Sequence, residues 1–238
     1  MNIALLGYGK MGKTIDALAS HMGHKIVLKI NTDNAHERSV NHIKNADVAI
    51  EFSRPETAFD NVRFCIQNGI PVVSGTTAWL DQMEAAKAIC RMEGGAFFYA
   101  SNFSIGVNIF FALNRYLVEM MRSQRQYEVK MTEIHHTQKL DAPSGTAISL
   151  AQDILQKLDR KTEWVNEKTT ESSKLEIISE RVEGVPGTHL IQYLSSIDQI
   201  DIQHIAHSRE GFAKGAILAA EWLIGKKGYF EMSDLLGF

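Results

Sequence analysis

Asn2-Ile-Ala-Leu-Leu6-Gly7-Tyr8-Gly9-Lys10-Met11-Gly12 decides how this chain is read. An apolar strand runs into Gly-x-Gly-x-x-Gly, and Ile15, Leu18, Ala19 and Met22 then recur at helical spacing. A strand before the glycines and a helix after them is the context that a dinucleotide fingerprint requires. The first glycine allows the tight turn, the second lets a pyrophosphate approach the backbone, and the third lets helix and strand pack closely. The alternative reading is a glycine-rich structural turn. The second strand, Lys25 to Ile30, ends in Asn31-Thr32-Asp33. A carboxylate at that tip would accept hydrogen bonds from the adenosine ribose. Asn31 is neutral and does not repel a 2′-phosphate, while Asp33 is the nearby acid, so NADH and NADPH both stay open.

Three more strand–helix units follow: Asp47–Phe52 with Pro55–Gln67, Ile70–Val73 with Leu80–Met92, and Ala96–Tyr99 with Ile105–Met121. This alternation predicts a Rossmann-type, doubly wound parallel sheet in an α/β protein. Ligands of such sheets sit beyond the carboxyl ends of the strands. Gly75, Thr76, Thr77 and Asn102 stand at those ends, either as cofactor contacts or only as caps of the next helix. After Met121 the rhythm changes to alternating runs at Tyr127–Ile134, Glu176–Val182, Thr188–Leu194 and Gln199–Ile205, which predict a mostly antiparallel or mixed sheet. Arg160 to Lys174 reads as an exposed polar loop. The expected domains are 1–104, with 210–238 packing back on it, and an α+β domain over 105–209.

The chain has 238 residues, a formal net charge of −3 and interspersed charges, which argues against nucleic-acid binding. No apolar stretch reaches the length needed to span a bilayer. Cys65 and Cys90 make neither a metal motif nor a disulfide framework. With no signal-peptide layout at the start, the expected location is cytoplasmic.

The densest chemistry lies in Glu133-Ile-His135-His136-Thr-Gln-Lys139-Leu-Asp141-Ala-Pro-Ser144-Gly145-Thr146. Ala147, Leu150, Ala151, Ile154, Leu155 and Leu158 follow at helical spacing, so Ser144 or Thr146 caps a helix. Free N–H groups at such a start, with the helix dipole behind them and Lys139 nearby, suit a carboxylate or phosphate. Adjacent histidines on an extended strand point to opposite faces, so the alternative reading is that one is core and the other merely exposed. Asp141 either holds the turn or acts on substrate. A metal role is disfavoured because ligands of suitable sequence spacing are missing. Arg209 and Phe212 are read as hinge, cofactor-edge or packing residues.

With Ser74-Gly-Thr-Thr77, Ser101-Asn-Phe-Ser-Ile-Gly-Val-Asn108 and Ser208-Arg-Glu-Gly-Phe-Ala-Lys-Gly-Ala216 in the same order, the chain resembles the 4-hydroxy-tetrahydrodipicolinate reductase (dihydrodipicolinate reductase) family over nearly its whole length. The resemblance implies an NADH- or NADPH-dependent oxidoreductase of lysine and diaminopimelate synthesis, a homotetramer acting on a small dicarboxylate. It implies proton transfer by His135 and Lys139 and substrate binding by His136, Gly145 and Thr146. It further implies cofactor contacts from Gly7, Tyr8, Gly9, Lys10, Met11 and Gly12, from Gly75, Thr76 and Thr77, and from Ala100, Ser101, Asn102 and Phe103. Asn31 joins them as the residue at the second-strand tip. Three positions depart from the family pattern: Lys10 for Arg, Asn31 for an acid, and Ala78 for Gly. Competing expectations are another NAD(P)-dependent dehydrogenase acting on an amino acid or sugar, and a redox sensor that binds dinucleotide without turnover.

Overall fold

The computed structural model describes residues 1–208 and 210–238, and it divides into two compact units, Met1–Ile105 with Glu210–Phe238, and Gly106–Arg209. Chain order runs β1 (Asn2–Leu6), α1 (Lys10–His21), β2 (Lys25–Ile30), α2 (Val40–Ile43), β3 (Val48–Glu51), α3 (Pro55–Gln67), β4 (Val72–Ser74), α4 (Met83–Glu93) and β5 (Ala96–Tyr99). Then come α5 (Ile105–Met121), β6 (Glu128–His135), α6 (Gly145–Leu155), β7 (Glu163–Val165), β8 (Lys174–Arg181), β9 (Gly187–Leu194) and β10 (Gln199–Ala206). The chain closes with α7 (Glu210–Leu223), β11 (Gly228–Phe230) and α8 (Met232–Leu236).

The first unit holds a parallel sheet in the order β11-β5-β4-β3-β1-β2. Alternate residues of one strand bury opposite faces. Ala4 and Leu6 of β1 join a core with α3 and α4, while Ile3 and Leu5 join one with α1 and α7. Burial on both sides is why these strands read as continuous apolar runs rather than alternations. The sixth strand, β11, escaped the sequence reading. It is three residues long and pairs β5, far earlier in the sequence, through Gly228↔Ala96 to Phe230↔Phe98.

At the end of β3, Glu51 is fully buried. Its carboxylate accepts from the Ser53 N–H at 3.0 Å, the Ser74 hydroxyl at 2.7 Å and the Thr76 hydroxyl at 2.9 Å, and from the Ser53 hydroxyl. A buried carboxylate is tolerable only when it is hydrogen-bonded in this way, and the cluster ties the ends of β3 and β4 together.

The second unit has a mixed sheet, β10-β9-β6-β8-β7, with β6 parallel to β8 and antiparallel to β9. One face packs against α5 and α6 through Val129, Met131, Leu175, Ile177, Ile191 and Tyr193. Arg160–Lys174 is not an exposed loop. It contains β7, and Lys161 is buried, its ammonium bonded to Glu128 and to the carbonyls of Ser172 and Lys174 at 2.9 Å each. A polar sequence conceals this because every hydrogen bond of that lysine is met inside the fold.

Candidate active site

In the first unit a cavity of about 400 Å³ lies at the tips of the first strands, lined by Gly7, Tyr8 and Gly9, by Asn31 to Asp33, and by Arg38, Arg54 and others. Gly7 has φ +107°, and a Cβ there would lie 1.9 Å from the Phe52 carbonyl oxygen. A Cβ on Gly12 would lie 2.3 Å from the Gly7 oxygen, so the third glycine does serve close packing. Gly9 is the N-cap of α1, has no side-chain cap, and has open space at its Cβ. No acid occupies the first turn of this twelve-residue helix. Bare N–H groups, a helix dipole and room for close approach fit a dinucleotide pyrophosphate. Lys10 and Met11 lie on that same first turn.

The Asn31 side-chain oxygen accepts from the N–H groups of Asp33 at 2.8 Å and Asn34 at 3.1 Å, so it holds its own turn. Arg38, which sequence reasoning missed, lines the same cavity while donating to Asn61 and lying 5.4 Å from the Phe64 ring centroid. Gly75, Thr76 and Thr77 follow β4. A Cβ on Gly75 would strike the Phe52 ring at 2.2 Å, Thr76 is committed to Glu51, and Thr77 is exposed. Ala78, where the family often has glycine, takes the left-handed φ of +62°. Past β5, Ala100 and Phe103 are buried, with the Phe103 ring against Phe52 and Phe98, while Ser101 is exposed and Asn102 half-buried.

In the second unit, β6 alternates from Val129 through Met131 to Glu133 and His135, all on the buried face. His136 falls just beyond the strand and is half-buried. The loop then turns back. The Arg181 guanidinium on β8 donates to the Lys139 carbonyl at 3.2 Å and the Asp141 carbonyl at 2.7 Å. Lys139 Nζ donates to Asp141 Oδ2 at 2.8 Å, and that bond holds the Asp141 carboxyl below its ordinary range. Asp141 therefore both shapes the turn and neutralises the lysine.

Ser144, not Thr146, caps α6, its hydroxyl accepting from the Ala147 N–H at 3.2 Å. The Ser144 N–H donates to both oxygens of Glu133, at 3.0 and 3.1 Å. Among the described residues, the N–H groups of Gly145 and Thr146 have no partner, and Gly145 is exposed. The eleven-residue helix thus presents two open donors at its start, an arrangement suited to a carboxylate.

Strand register supplies the ligand-type neighbours that sequence spacing does not. Glu133, His135 and His189 bring ligand-type atoms within 4.8 Å of one another, because β9 supplies the third residue across the sheet. Their hydrogen bonds have other owners. Glu133 is taken by Ser144 and by the Ser179 hydroxyl at 2.8 Å, and His189 Nε2 lies 3.2 Å from the Ser144 hydroxyl. Burial depresses His189 to a pKa of about 4, with His135 beside it adding to the effect. Burial also lowers His135, helped by Lys139 and Arg181 and opposed by Glu133. Burial pushes the Glu133 carboxyl up, but the bonds from Ser144 and Ser179 outweigh it and leave the group below its ordinary value. The cluster is a carboxylate held below its ordinary range beside two imidazoles that burial also holds below the ordinary histidine range.

Arg209 lies outside the described residues, and Phe212 is half-buried on α7.

A Rossmann-type parallel-sheet unit followed by a mixed-sheet unit is the plan of a class, the two-unit NAD(P)-dependent oxidoreductases. Residues 1–103 match the family described as dihydrodipicolinate reductase, N-terminus, and residues 106–236 match dihydrodipicolinate reductase, C-terminus. The chain belongs to the dihydrodipicolinate reductase family. It is 51% identical, over 99% of its length and 98% of the relative's, to a 4-hydroxy-tetrahydrodipicolinate reductase of Christiangramia forsetii. It is 35% identical to one of Oleidesulfovibrio alaskensis over 79% of this chain and 75% of that protein. A dipicolinate-bound dihydrodipicolinate reductase from Paenisporosarcina sp. TG-14 shares the fold, with a TM-score of 0.77 at 21% identity over 98% of each chain. An amine dehydrogenase from Mycobacterium smegmatis shares it more distantly, with a TM-score of 0.59 at 8% identity over 96% of this chain and 93% of that one.

Proposed function

We propose that this chain reduces 4-hydroxy-tetrahydrodipicolinate to tetrahydrodipicolinate with NADH or NADPH, in lysine and diaminopimelate biosynthesis, through His135 and Lys139. The overall balance adds one hydride and one proton to the ring and releases one water. The observation that carries the residue assignment is the start of α6, where the open N–H groups of Gly145 and Thr146 close the loop that carries Lys139 and begins just after His135, the last residue of β6.

Residues 1–104, with 210–238, form the dinucleotide domain in this reading, and 105–209 form the substrate and assembly domain. The glycines Gly7, Gly9 and Gly12 hold the cofactor with Tyr8, Lys10, Met11 and Asn31, and Gly75–Thr77 and Ala100–Phe103 complete that site. Bound there, the nicotinamide supplies the hydride. Gly145 and Thr146 hold one substrate carboxylate and orient the ring, with His136 as a further substrate contact. Lys139 protonates the departing hydroxyl while the adjacent ring carbon gives up a proton to solvent, so that water leaves and a ring double bond forms to accept the hydride. His135 gives its proton to the ring, where charge builds up as the hydride arrives.

Arg38 supplies positive charge suited to a 2′-phosphate in the same cavity as Asn31. Asn31→Asp is expected to shift the ratio of catalytic efficiencies toward NADH by roughly tenfold, since like charges in contact disfavour the phosphate. Steady-state kinetics with both cofactors measures this, and an unaltered ratio removes Asn31 from cofactor choice.

A homotetramer is part of the proposal. It is supported by apolar residues exposed along α5, namely Ile109, Leu113, Tyr116 and Met120, and by Ile200 and Ile205 on the edge strand β10. Exposed apolar patches of this kind mark protein contacts. The family's chemistry and two buried, unpaired cysteines support a cytoplasmic location. Among the described residues, no helix is long and apolar enough to cross a membrane. Substrate-dependent oxidation of the nicotinamide cofactor tests the reaction itself.

A further inference from the structure

Strand register places three polar side chains in one row. Antiparallel pairing sets His189 of β9 opposite Glu133 of β6, and parallel pairing sets Ser179 of β8 opposite Glu133 on its other side. The next row on the same face holds His135, paired with Arg181. Glu133 is fully buried at the centre of this arrangement. One carboxylate reaches three elements: the Ser144 N–H at the start of α6, the Ser179 hydroxyl of β8, and the His135 Nδ1 edge at 3.5 Å. Among the described residues His135 Nδ1 is buried and makes no hydrogen bond, and the Glu133 carboxylate at 3.5 Å is its acidic neighbour. The opposite edge of the ring looks toward Gly187, where an added Cβ would stand 3.1 Å from Nε2. A glycine there leaves Nε2 uncovered.

We propose that Glu133 is a positioning residue for the reduction: its carboxylate holds His135 with Nδ1–H turned inward and Nε2 outward as the proton-transferring atom, and it fixes the α6 anion clamp in the same register. The inference rests on His135 being the proton donor. In the transfer the Nε2–H bond breaks, the proton passes to the substrate ring, and the imidazolium becomes neutral with its Nδ1–H retained. Glu133 stays ionised and takes no proton. The division of labour is the familiar one in which a buried carboxylate orients an imidazole and stabilises its charged form. The other charges facing His135 are Lys139 and Asp141 from the loop and Arg181 from β8, with neutral His189 on β9, its ring centroid 5.1 Å away. Of the two anions, Glu133 is the buried one, and its effect on the imidazolium outranks that of Asp141.

The test compares pH profiles of kcat/KM for wild type, His135→Gln, Glu133→Gln and Glu133→Asp, each checked for folding by circular dichroism. A proton donor gives an alkaline limb, where activity falls as the donor loses its proton. Glu133→Gln removes the negative charge that favours the imidazolium, so that limb moves to lower pH and kcat drops by roughly 10²-fold. Glu133→Asp keeps the charge but retracts it, so kcat falls while the limb stays near its wild-type position. A His135-dependent limb that Glu133→Gln leaves in place, with kcat unchanged, overturns the role of Glu133 and spares that of His135. Absence of any His135-dependent limb overturns both. Should Glu133→Gln fail to fold, nitrogen NMR of histidine-labelled wild-type protein reads the tautomer directly. Nδ1–H in the neutral His135 ring supports the proposal, and Nε2–H with bare Nδ1 overturns it.

Discussion

Lys139→Ala is expected to lower turnover by roughly 10²- to 10³-fold while cofactor affinity stays near normal, since losing a positioned proton donor and a fixed cation each costs about that much. The ammonium does two things in the proposed reaction. It supplies the proton that converts the departing hydroxyl to water, and its charge adds to the α6 donors that hold a substrate carboxylate. Cofactor affinity is spared because the dinucleotide cradle is built from Gly7, Gly9 and the β2 tip in the first unit, whereas Lys139 belongs to the second. Folding is spared as well. Lys139 sits in a loop that Arg181 holds by its carbonyls, and the abandoned Asp141 carboxylate is 59% exposed, so water takes over its solvation. Steady-state turnover and a fluorescence titration of the cofactor separate the two quantities. Unchanged turnover would remove Lys139 from the chemistry.

Gly215→Ala is expected to destabilise the first unit by about 2 kcal/mol or more, with a fall in melting temperature of roughly 5–10 °C. The sign runs against helix propensity, which favours Ala over Gly by up to about 1 kcal/mol in a helix interior. Gly215 is buried on α7, and a Cβ there would lie 1.8 Å from the Phe103 carbonyl oxygen and 2.8 Å from its carbonyl carbon. Both are backbone atoms of the segment between β5 and α5, so no side chain can swing aside and either α7 or that segment must move. Gly211→Ala on the same helix is the control, because its Cβ would meet only the Ser104 hydroxyl at an ordinary 3.7 Å. Thermal melting of the pair should show a large loss for Gly215→Ala and little change for Gly211→Ala. Equal behaviour would mean that α7 does not depend on that close approach.

Local signals in the sequence carried a good part of this structure. The strand, three glycines and helix from Asn2 to Met22 announced the parallel sheet, because Gly7 and Gly12 sit where a Cβ would strike backbone and Gly9 leaves the helix start open. The alternation over Tyr127–Ile134 likewise marked β6, and Pro143 and Gly145, with Ser144 or Thr146 as cap, marked the start of α6. What stayed hidden depends on distant pairings. β11 is too short to show a period and exists as a strand only beside β5. β7 and buried Lys161 lie in a stretch whose composition suggests solvent. Ser179, Arg181 and His189 complete the cluster around Glu133 through strand register, which a single sequence leaves open. Arg38 reaches the cavity from beyond the β2 tip, past a turn that Asn31 and Asn34 stabilise.

The most direct test of the central claim mixes the purified protein with NADPH or NADH and freshly generated 4-hydroxy-tetrahydrodipicolinate, and follows the nicotinamide absorbance. Rapid loss of that absorbance, dependent on the substrate and much reduced in Lys139→Ala, is the predicted result. Cofactor that binds but is not oxidised when the substrate is present would contradict it.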